Sequence, residues 1–224
     1  MKIITINHAL IMAAGRGNRM RPLTDSLPKS LIPYNGDTLI GNNLRALEGC
    51  VKHIHITVGY KKAMLSEYLM ARGVDTIFNT EGHGNAWWVM NTLIRNLNEP
   101  VLVLTTDNIT EIDIKFLSEE YRRLRNPYCM LVPVKPIEGI SGDYIFHQEG
   151  IVTSVNRNEI TNIYCSGIQI LNPYKIFHTL PADTEDFNSI WNGLISIGQL
   201  KVANTYPRTW FSVDTLEQAL GLIK

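Results

Sequence analysis

The chain has 224 residues, 45% hydrophobic and 19% charged, with 21 Lys and Arg balancing 21 Asp and Glu. A chain of this size buries roughly 70–75% of its unfolded surface and needs no disulfides to hold a core. The neutral balance argues against a general nucleic-acid or anionic-membrane surface, so any cationic function must be local.

In chain order, Met1 to Leu10 is too short and too polar, with Asn7 and His8, for a secretory segment. No stretch approaches the roughly 18 apolar residues of a membrane helix, and a cytoplasmic location is expected. Ile3 to Ala13 reads as a strand whose unbroken apolar run predicts burial on both faces, as in a parallel sheet. A loop punctuated by Gly and Pro follows, to about residue 36. Helical spacing marks Leu39 to Leu47, with Gly49 as its stop signal. His53 to Val58 is the next strand, Met64 to Met70 a helix, Asp75 to Phe78 a short strand and Asn85 to Leu97 a helix. Pro100 to Thr105 is a fully buried strand that stops at Thr106-Asp107-Asn108. The alternation predicts a doubly wound, Rossmann-like sheet.

The second half reads differently. Tyr128 to Val134, Asp143 to Gln148, Ile151 to Val155 and Tyr164 to Leu171 are strands with short connections, and Gln148-Glu149-Gly150 marks a hairpin. Helices are expected over Pro173 to Thr179, Phe187 to Ile197 and Leu216 to Ile223, with a strand at Leu200 to Ala203. The expected fold is one α/β domain with a mostly parallel central sheet and flanking helices. Residues 1–126 form a nucleotide-binding half, and 127–224 a mixed acceptor-binding half.

The loop from Met12 to Lys29 carries the chemistry. Arg16, Arg19, Arg21 and Lys29 face a single acid, Asp25, and that local excess of positive charge calls for an anionic partner. Ala13 and Ala14 are small enough to let a flat base approach the backbone. Gly15 and Gly17 can take positive φ and turn amide N–H groups toward phosphate oxygens. An arginine fork suits a triphosphate, and a lysine beside a proline suits charge that develops in phosphoryl transfer. The segment lacks the Walker A pattern, and Met20 stands where a dinucleotide fingerprint needs its third glycine. What remains is Gly-x-Gly-x-Arg-x-x-Pro-x-Thr-x-x-x-Pro-Lys, ending at Lys29.

This pattern resembles the signature of the sugar-phosphate nucleotidyltransferases, and the resemblance extends over nearly the whole chain. It implies a metal-binding Asp after the fourth parallel strand, matched by Asp107, and a second in a Val-Asp-Thr segment, matched by Val213-Asp214-Thr215. Together they imply a bound Mg²⁺, although either residue alone reads as a turn or helix cap. Arg19 is implied to contact the triphosphate, and Lys29 the α-phosphate and the attacking phosphate. The implied substrates are an NTP and a phosphorylated small molecule such as a sugar 1-phosphate or phosphoamine, with nucleotide-sugar or cell-surface polysaccharide synthesis as the setting. A homodimer is compatible with the pattern but not specified by it. The chain ends near Lys224, so the β-helix acyltransferase domain of some relatives is not expected.

Two segments depart from the commoner family pattern. Where many members carry Glu-Lys-Pro, this chain has Asn156-Arg157-Asn158, so Arg157 either takes over the acceptor phosphate or is an ordinary hairpin arginine. Gly167 corresponds to a glycine that leads toward the acceptor pocket. The base-side segment reads Gly82-His83-Gly84-Asn85-Ala86-Trp87-Trp88 instead of a Gly-Thr-Gly type run. Asn85 and the Asp107-Asn108 pair look more like the small cytidylyltransferases of the phosphocholine type. CTP is therefore the first choice, with UTP or GTP the alternative, and Asn85 is placed on the pyrimidine edge. Trp87 and Trp88 are read mostly as core.

Two other classes remain. A glycosyltransferase would carry an Asp-x-Asp motif, which Asp107-Asn108-Ile109 fails, and a non-catalytic sensor would have little use for Lys29, Asp107 and Asp214 together. His53 and His55 share a strand face, but lack a nearby third ligand and are read as partly exposed or packing residues. The cysteines Cys50, Cys129 and Cys165 show no metal spacing and no activating base for Cys165, and are read as buried free thiols in a reducing compartment.

Overall fold

A computed structural model describes residues 5–140 and 142–222. The expected strand residues Ile3 and Ile4 and the helix residue Ile223 lie outside the described residues. In chain order the strands and helices are β1 His8–Met12, α1 Leu23–Ser26, β2 Pro33–Tyr34, β3 Asp37–Thr38, α2 Leu39–Leu47, β4 His53–Val58, α3 Lys62–Met70, β5 Thr76–Asn79 and α4 Trp87–Asn91. There follow β6 Val101–Thr105, β7 Asn108–Thr110, α5 Ile114–Arg123, β8 Cys129–Val134, β9 Tyr144–Gln148, β10 Ile151–Asn156 and β11 Tyr164–Leu171. The chain continues through α6 Pro173–Phe177, α7 Phe187–Ser196, β12 Leu200–Val202, β13 Trp210–Ser212 and α8 Leu216–Leu222.

One nine-stranded sheet runs through both halves in the order β5-β4-β1-β6-β11-β8-β12-β10-β9. Strands β5, β4, β1 and β6 are mutually parallel. Strand β11 inserts antiparallel between β6 and β8. Beyond it, β12 runs parallel to β8, and β10 antiparallel to both β12 and β9. All strands therefore point the same way except β10 and β11. The apolar run of β6 is buried on both faces as its sequence predicts, with Leu102 and Leu104 in one core cluster and Val101 and Val103 in the other. The β9–β10 hairpin turns through Glu149 (φ 50°) and Gly150 (φ 81°), the paired left-handed conformation that a tight two-residue hairpin requires.

Three elements differ from the sequence reading. The helix expected over Asn85 to Leu97 is split: α4 ends at Asn91, and a 3₁₀ turn occupies Leu93–Asn96. Between them Thr92 is extended at ψ 170°, its hydroxyl donating to the Trp88 carbonyl and accepting from the Ile94 amide. Such local side-chain bonding competes with helix continuation. The first strand starts at His8. Helix α5, absent from the sequence reading, is capped by Asp113, whose carboxylate accepts from the Phe116 amide at 3.0 Å, and buries Leu117 and Tyr121. Its buried Glu120 pairs with Arg123 of the same helix and ties the helix to the Asn204 amide after β12.

Among the described residues no helix is long and apolar enough to cross a membrane. The three cysteines are free, and burial pushes the Cys129 and Cys165 thiols up, away from nucleophilic use.

The His53–His55 pair gains a third imidazole from the neighbouring strand, because His8 pairs in register with His53. The His8 and His55 rings stack with centroids 5.4 Å apart, and His8 lies 4.8 Å from His53. Among the described residues no group of three His, Cys, Asp or Glu is placed to hold a metal ion. Burial first, then the neighbouring imidazole of His8, lowers the His55 pKa from 6.5 to about 4. The unfolded chain therefore takes up this proton first as acid is added. Stability from neutral His55 is complete above pH 6.5 and is lost as pH falls toward 4. Allowing for solvent screening, the loss is about 1–2 kcal/mol. Urea midpoints measured from pH 7.5 to 4 should fall less steeply in His55→Gln; an identical acid limb would assign the loss elsewhere.

Candidate active site

The chain winds β1, β4, β5 to one side, then returns to β6 on the other side of β1. The loops after β1 and β6 diverge at that switch point, where open α/β sheets bind ligands at the carboxyl ends of their strands. A cleft of about 850 Å³ opens there. Ala14, Gly15, Arg16 and Lys29 line it from the first loop, Tyr60 and Lys61 from the end of β4, Thr80 to Asn85 from the end of β5, and Asp107 from the end of β6. Ala13 lies beneath the cleft, 4% exposed, with its amide bound to the Thr57 carbonyl.

The first loop folds around Gly17. Its φ of 65° is left-handed, and a Cβ there would lie 2.9 Å from the Lys29 Cβ and 3.1 Å from Thr24. The Thr24 hydroxyl donates to the Gly17 carbonyl at 2.9 Å. Pro28 is extended and starts a 3₁₀ turn, Lys29–Leu31, that sends the lysine back across the loop. Gly15 has open space where a Cβ would stand, so its backbone is accessible to a ligand.

Asp107 and Asp214 are brought together by a ribbon the sequence reading did not contain. Strands β7 and β13 pair antiparallel, with Asn108 opposite Ser212, and the Val213 amide donates to the Asp107 carbonyl at 3.0 Å. The two carboxylates thus flank one end of the ribbon. Trp210 Nε1 donates to Asn108 Oδ1 at 2.9 Å, and the Asn43 amide of α2 reaches the Asn108 carbonyl at 3.3 Å. Asp214 does not cap α8. Thr215 and Gln218 form a reciprocal capping box, the Thr215 amide donating to Gln218 Oε1 and the Gln218 amide to Thr215 Oγ1. Gln218 Oε1 also accepts from the Asp214 amide at 2.7 Å, which leaves the Asp214 carboxylate to the site.

Lys29 Nζ sits 2.9 Å from Asp107 Oδ2 and 2.9 Å from Asp214 Oδ1. Arg19 Nη2 adds a contact to Asp214 Oδ1 at 3.2 Å. Burial alone would lower the Lys29 pKa, but the two carboxylates outweigh it and hold the ammonium above its ordinary value. Burial likewise raises Asp214, and the charge and hydrogen bond of Lys29 more than reverse this, keeping it below the usual carboxylate range. Asp107 Oδ1 is buried and has no hydrogen-bond partner. Two carboxylates, one with an orphaned oxygen, fit a hard cation that completes its shell with phosphate oxygens and water.

The remaining expected residues divide. Asn85 Oδ1 accepts from the Phe187 amide at the start of α7, which orients the NH₂ group as the free end of the side chain. Trp88 is buried and Trp87 half-buried, stacked on His83 at 4.1 Å. Arg157 forms an ion pair with Asp143 at 2.6 Å and is near enough to Asp214 for that charge to help raise its pKa. Gly167 has φ 81°, and a Cβ there would stand 2.8 Å from Thr105 Oγ1, so the glycine lets β11 close onto the end of β6. Tyr60 and Lys61 were missed; the only signal was their place directly after a parallel strand.

Gly17→Ala should cost about 1–2 kcal/mol in the left-handed conformation and displace Lys29 as well. A lowered denaturation midpoint together with reduced nucleotide binding is the expected pair of results. An unchanged midpoint and unchanged binding would remove the loop geometry as a constraint.

The MobA-like NTP transferase domain profile matches residues 9–156. A mannose-1-phosphate guanyltransferase of Pichia angusta is 28% identical over 183 residues, covering 75% of this chain and 50% of that protein. The chain spans about half the length of that protein and of a similar mannose-1-phosphate guanyltransferase of Candida glabrata. A structure assigned as a glucose-1-phosphate thymidylyltransferase from Bacillus anthracis superposes with a TM-score of 0.78 at 20% identity, covering 96% of this chain and 94% of that one. The inositol-1-phosphate CTP transferase of T. maritima gives 0.77 at 15% identity, covering 96% and 91%. The structural likenesses establish a common fold, and with the profile match over most of its sheet the chain belongs to the MobA-like NTP transferase family.

Proposed function

We propose that the protein transfers a nucleoside monophosphate from an NTP, with CTP as first choice, to a phosphorylated small molecule such as a sugar 1-phosphate or phosphoamine. The observation that carries this reading is Lys29 held between Asp107 and Asp214 beside the switch-point cleft. An oxygen of the acceptor phosphate attacks the α-phosphorus, the bond from that phosphorus to the oxygen bridging to the β-phosphate breaks, and pyrophosphate leaves. No covalent enzyme intermediate is needed, so the chain contributes positioning and charge stabilisation.

Asp107 and Asp214 would hold Mg²⁺. When bound, the ion supplies Lewis-acid neutralisation of phosphate charge. Lys29, on a short turn with little freedom, brings its ammonium to the α-phosphate and the incoming acceptor phosphate. Arg19 neutralises the triphosphate from the same loop. Gly15 offers an unobstructed backbone to the phosphates, and Ala14 a flat approach to the base. Arg157 and Gly167 border the acceptor side, with Asp143 setting the position of Arg157.

The case for CTP rests on Asn85. Its oxygen is committed to the Phe187 amide, so its NH₂ group donates, and cytosine presents adjacent acceptors at O2 and N3. The relatives' names span guanylyl, thymidylyl and CTP transfer, so the preference for CTP is argued from this chain's own base loop.

Pyrophosphate release should be measured with CTP, UTP, GTP and dTTP against a panel of sugar 1-phosphates and phosphoamines, with Mg²⁺ and then EDTA. Turnover that is highest with CTP and abolished by EDTA is expected. A strong preference for GTP or UTP would sink the Asn85 argument, and no turnover with any pair would favour a sensor. With the active pair, Lys29→Ala and Asp107→Asn should each lower kcat by about 10²-fold or more. Wild-type turnover in either variant would remove that residue from the chemistry.

A further inference from the structure

The four cations of the first loop are not equivalent in the folded protein. Lys29 and Arg19 are neutralised by Asp107 and Asp214, and Arg21 lies 3.3 Å from Asp25. Among the described residues Arg16 has no carboxylate within ion-pair distance. Its guanidinium instead lies over the Tyr60 ring, 4.9 Å from the centroid. A second cation, Lys61, places Nζ 5.5 Å from the same centroid, also without a carboxylate partner among the described residues. The next lysine, Lys62, is by contrast paired with Glu81 at 2.8 Å.

Tyr60 is fixed at both ends. Its amide donates to the Ala14 carbonyl at 3.0 Å and its hydroxyl to the Thr24 carbonyl at 2.9 Å, so one residue spans the first loop from its beginning to α1. Gly59 permits this close docking, since a Cβ there would stand 2.8 Å from the Ala14 carbonyl oxygen. Lys61 is left-handed at φ 52°, an unusual conformation for a long side chain and one that accumulates at functional positions. All three side chains line the cleft that also holds Lys29.

We propose that Arg16 and Lys61, mounted on the ring of Tyr60, form a second anion subsite of the cleft that takes the polyphosphate end of the nucleotide. The inference rests on the nucleotidyl-transfer reading for its substrate class, and it concerns the two cations that the carboxylate centre leaves uncompensated. The aromatic ring attracts the two cations without cancelling their charge, so both stay available to phosphate oxygens. Tyr60 acts as a positioning residue: its ring orients the cations and its hydroxyl anchors the loop carrying Gly17 and Lys29. Arg16 and Lys61 contribute to binding of the tail that departs as pyrophosphate, and the α-phosphate remains with Lys29.

The test is calorimetric titration of the full chain with inorganic tripolyphosphate, which needs neither a base nor an acceptor. The surface double variant Arg16→Ala/Lys61→Ala should bind tripolyphosphate about tenfold more weakly and lose much of the salt dependence, with its thermal midpoint unchanged. Tyr60→Leu should weaken binding similarly, and Tyr60→Phe, which keeps the ring, should recover most of it. In turnover, the double variant should raise KM for the NTP and leave kcat within about twofold. A loss of tripolyphosphate affinity smaller than threefold in the double variant overturns the subsite, as does a Tyr60→Phe variant no better than Tyr60→Leu. These outcomes are separable from failure of the transferase reading, which would appear as wild-type protein that binds tripolyphosphate yet turns over no NTP–acceptor pair.

Discussion

Lys29 places one positive charge 2.9 Å from each of two carboxylates, which lie 78 and 185 positions further along the chain, and much of the surrounding architecture keeps it there. Two partly buried acids beside each other repel, and removal from water makes each more costly unless a cation compensates. The left-handed turn at Gly17 gives Lys29 its room, the β7–β13 ribbon fixes both acids, and the Thr215–Gln218 box relieves Asp214 of capping duty. Helix α2 supports the same ribbon from beneath through Asn43. Each element is locally ordinary, and their joint effect is a charge cluster arranged around one ammonium.

That cluster divides the positive charge around the cleft into two populations. Arg19 and Lys29 are spoken for by acids, so they bind a new anion only by exchanging partners. Arg16 and Lys61 lie against the Tyr60 ring and have no carboxylate to exchange among the described residues. Of the local excess of cations legible in the sequence, Arg16 alone has no carboxylate partner among the described residues, and it lies beside Tyr60 at the end of β4.

The parallel half was legible because its signals are local. An unbroken apolar run means a strand buried on both faces, and β4 and α2 begin and end where their spacing and stop signals place them. The glycine loop was legible because its residues act through backbone conformation and charge at fixed separations. What escaped was non-local. The pairing of β7 with β13 joins two three-residue strands too short to carry a periodicity, and His8 joins His53 only through sheet register. Helix α5 was hidden by its charged Glu-Glu and Arg-Arg pairs, which dilute the apolar face formed by Leu117 and Tyr121. The break at Thr92 depends on one hydroxyl preferring its own backbone to helix continuation. Asn85 was identified as a candidate, but the direction of its amide depends on Phe187, which the sequence separates from it by 102 positions.

The β7–β13 ribbon also sets an order of assembly. Lys29 and Asp214 lie 185 positions apart, so the charge cluster closes only after the final ribbon strand has docked. A chain emerging from the ribosome can pair β1, β4, β5 and β6 early, since those contacts are comparatively near in sequence, while the cluster must wait for its last acid. Until then Lys29 and Asp107 form an incomplete pair with no second carboxylate. Completion of the charge cluster thus becomes a late event in the life of each molecule, and a nascent chain stalled before β13 would hold the cleft without its second carboxylate.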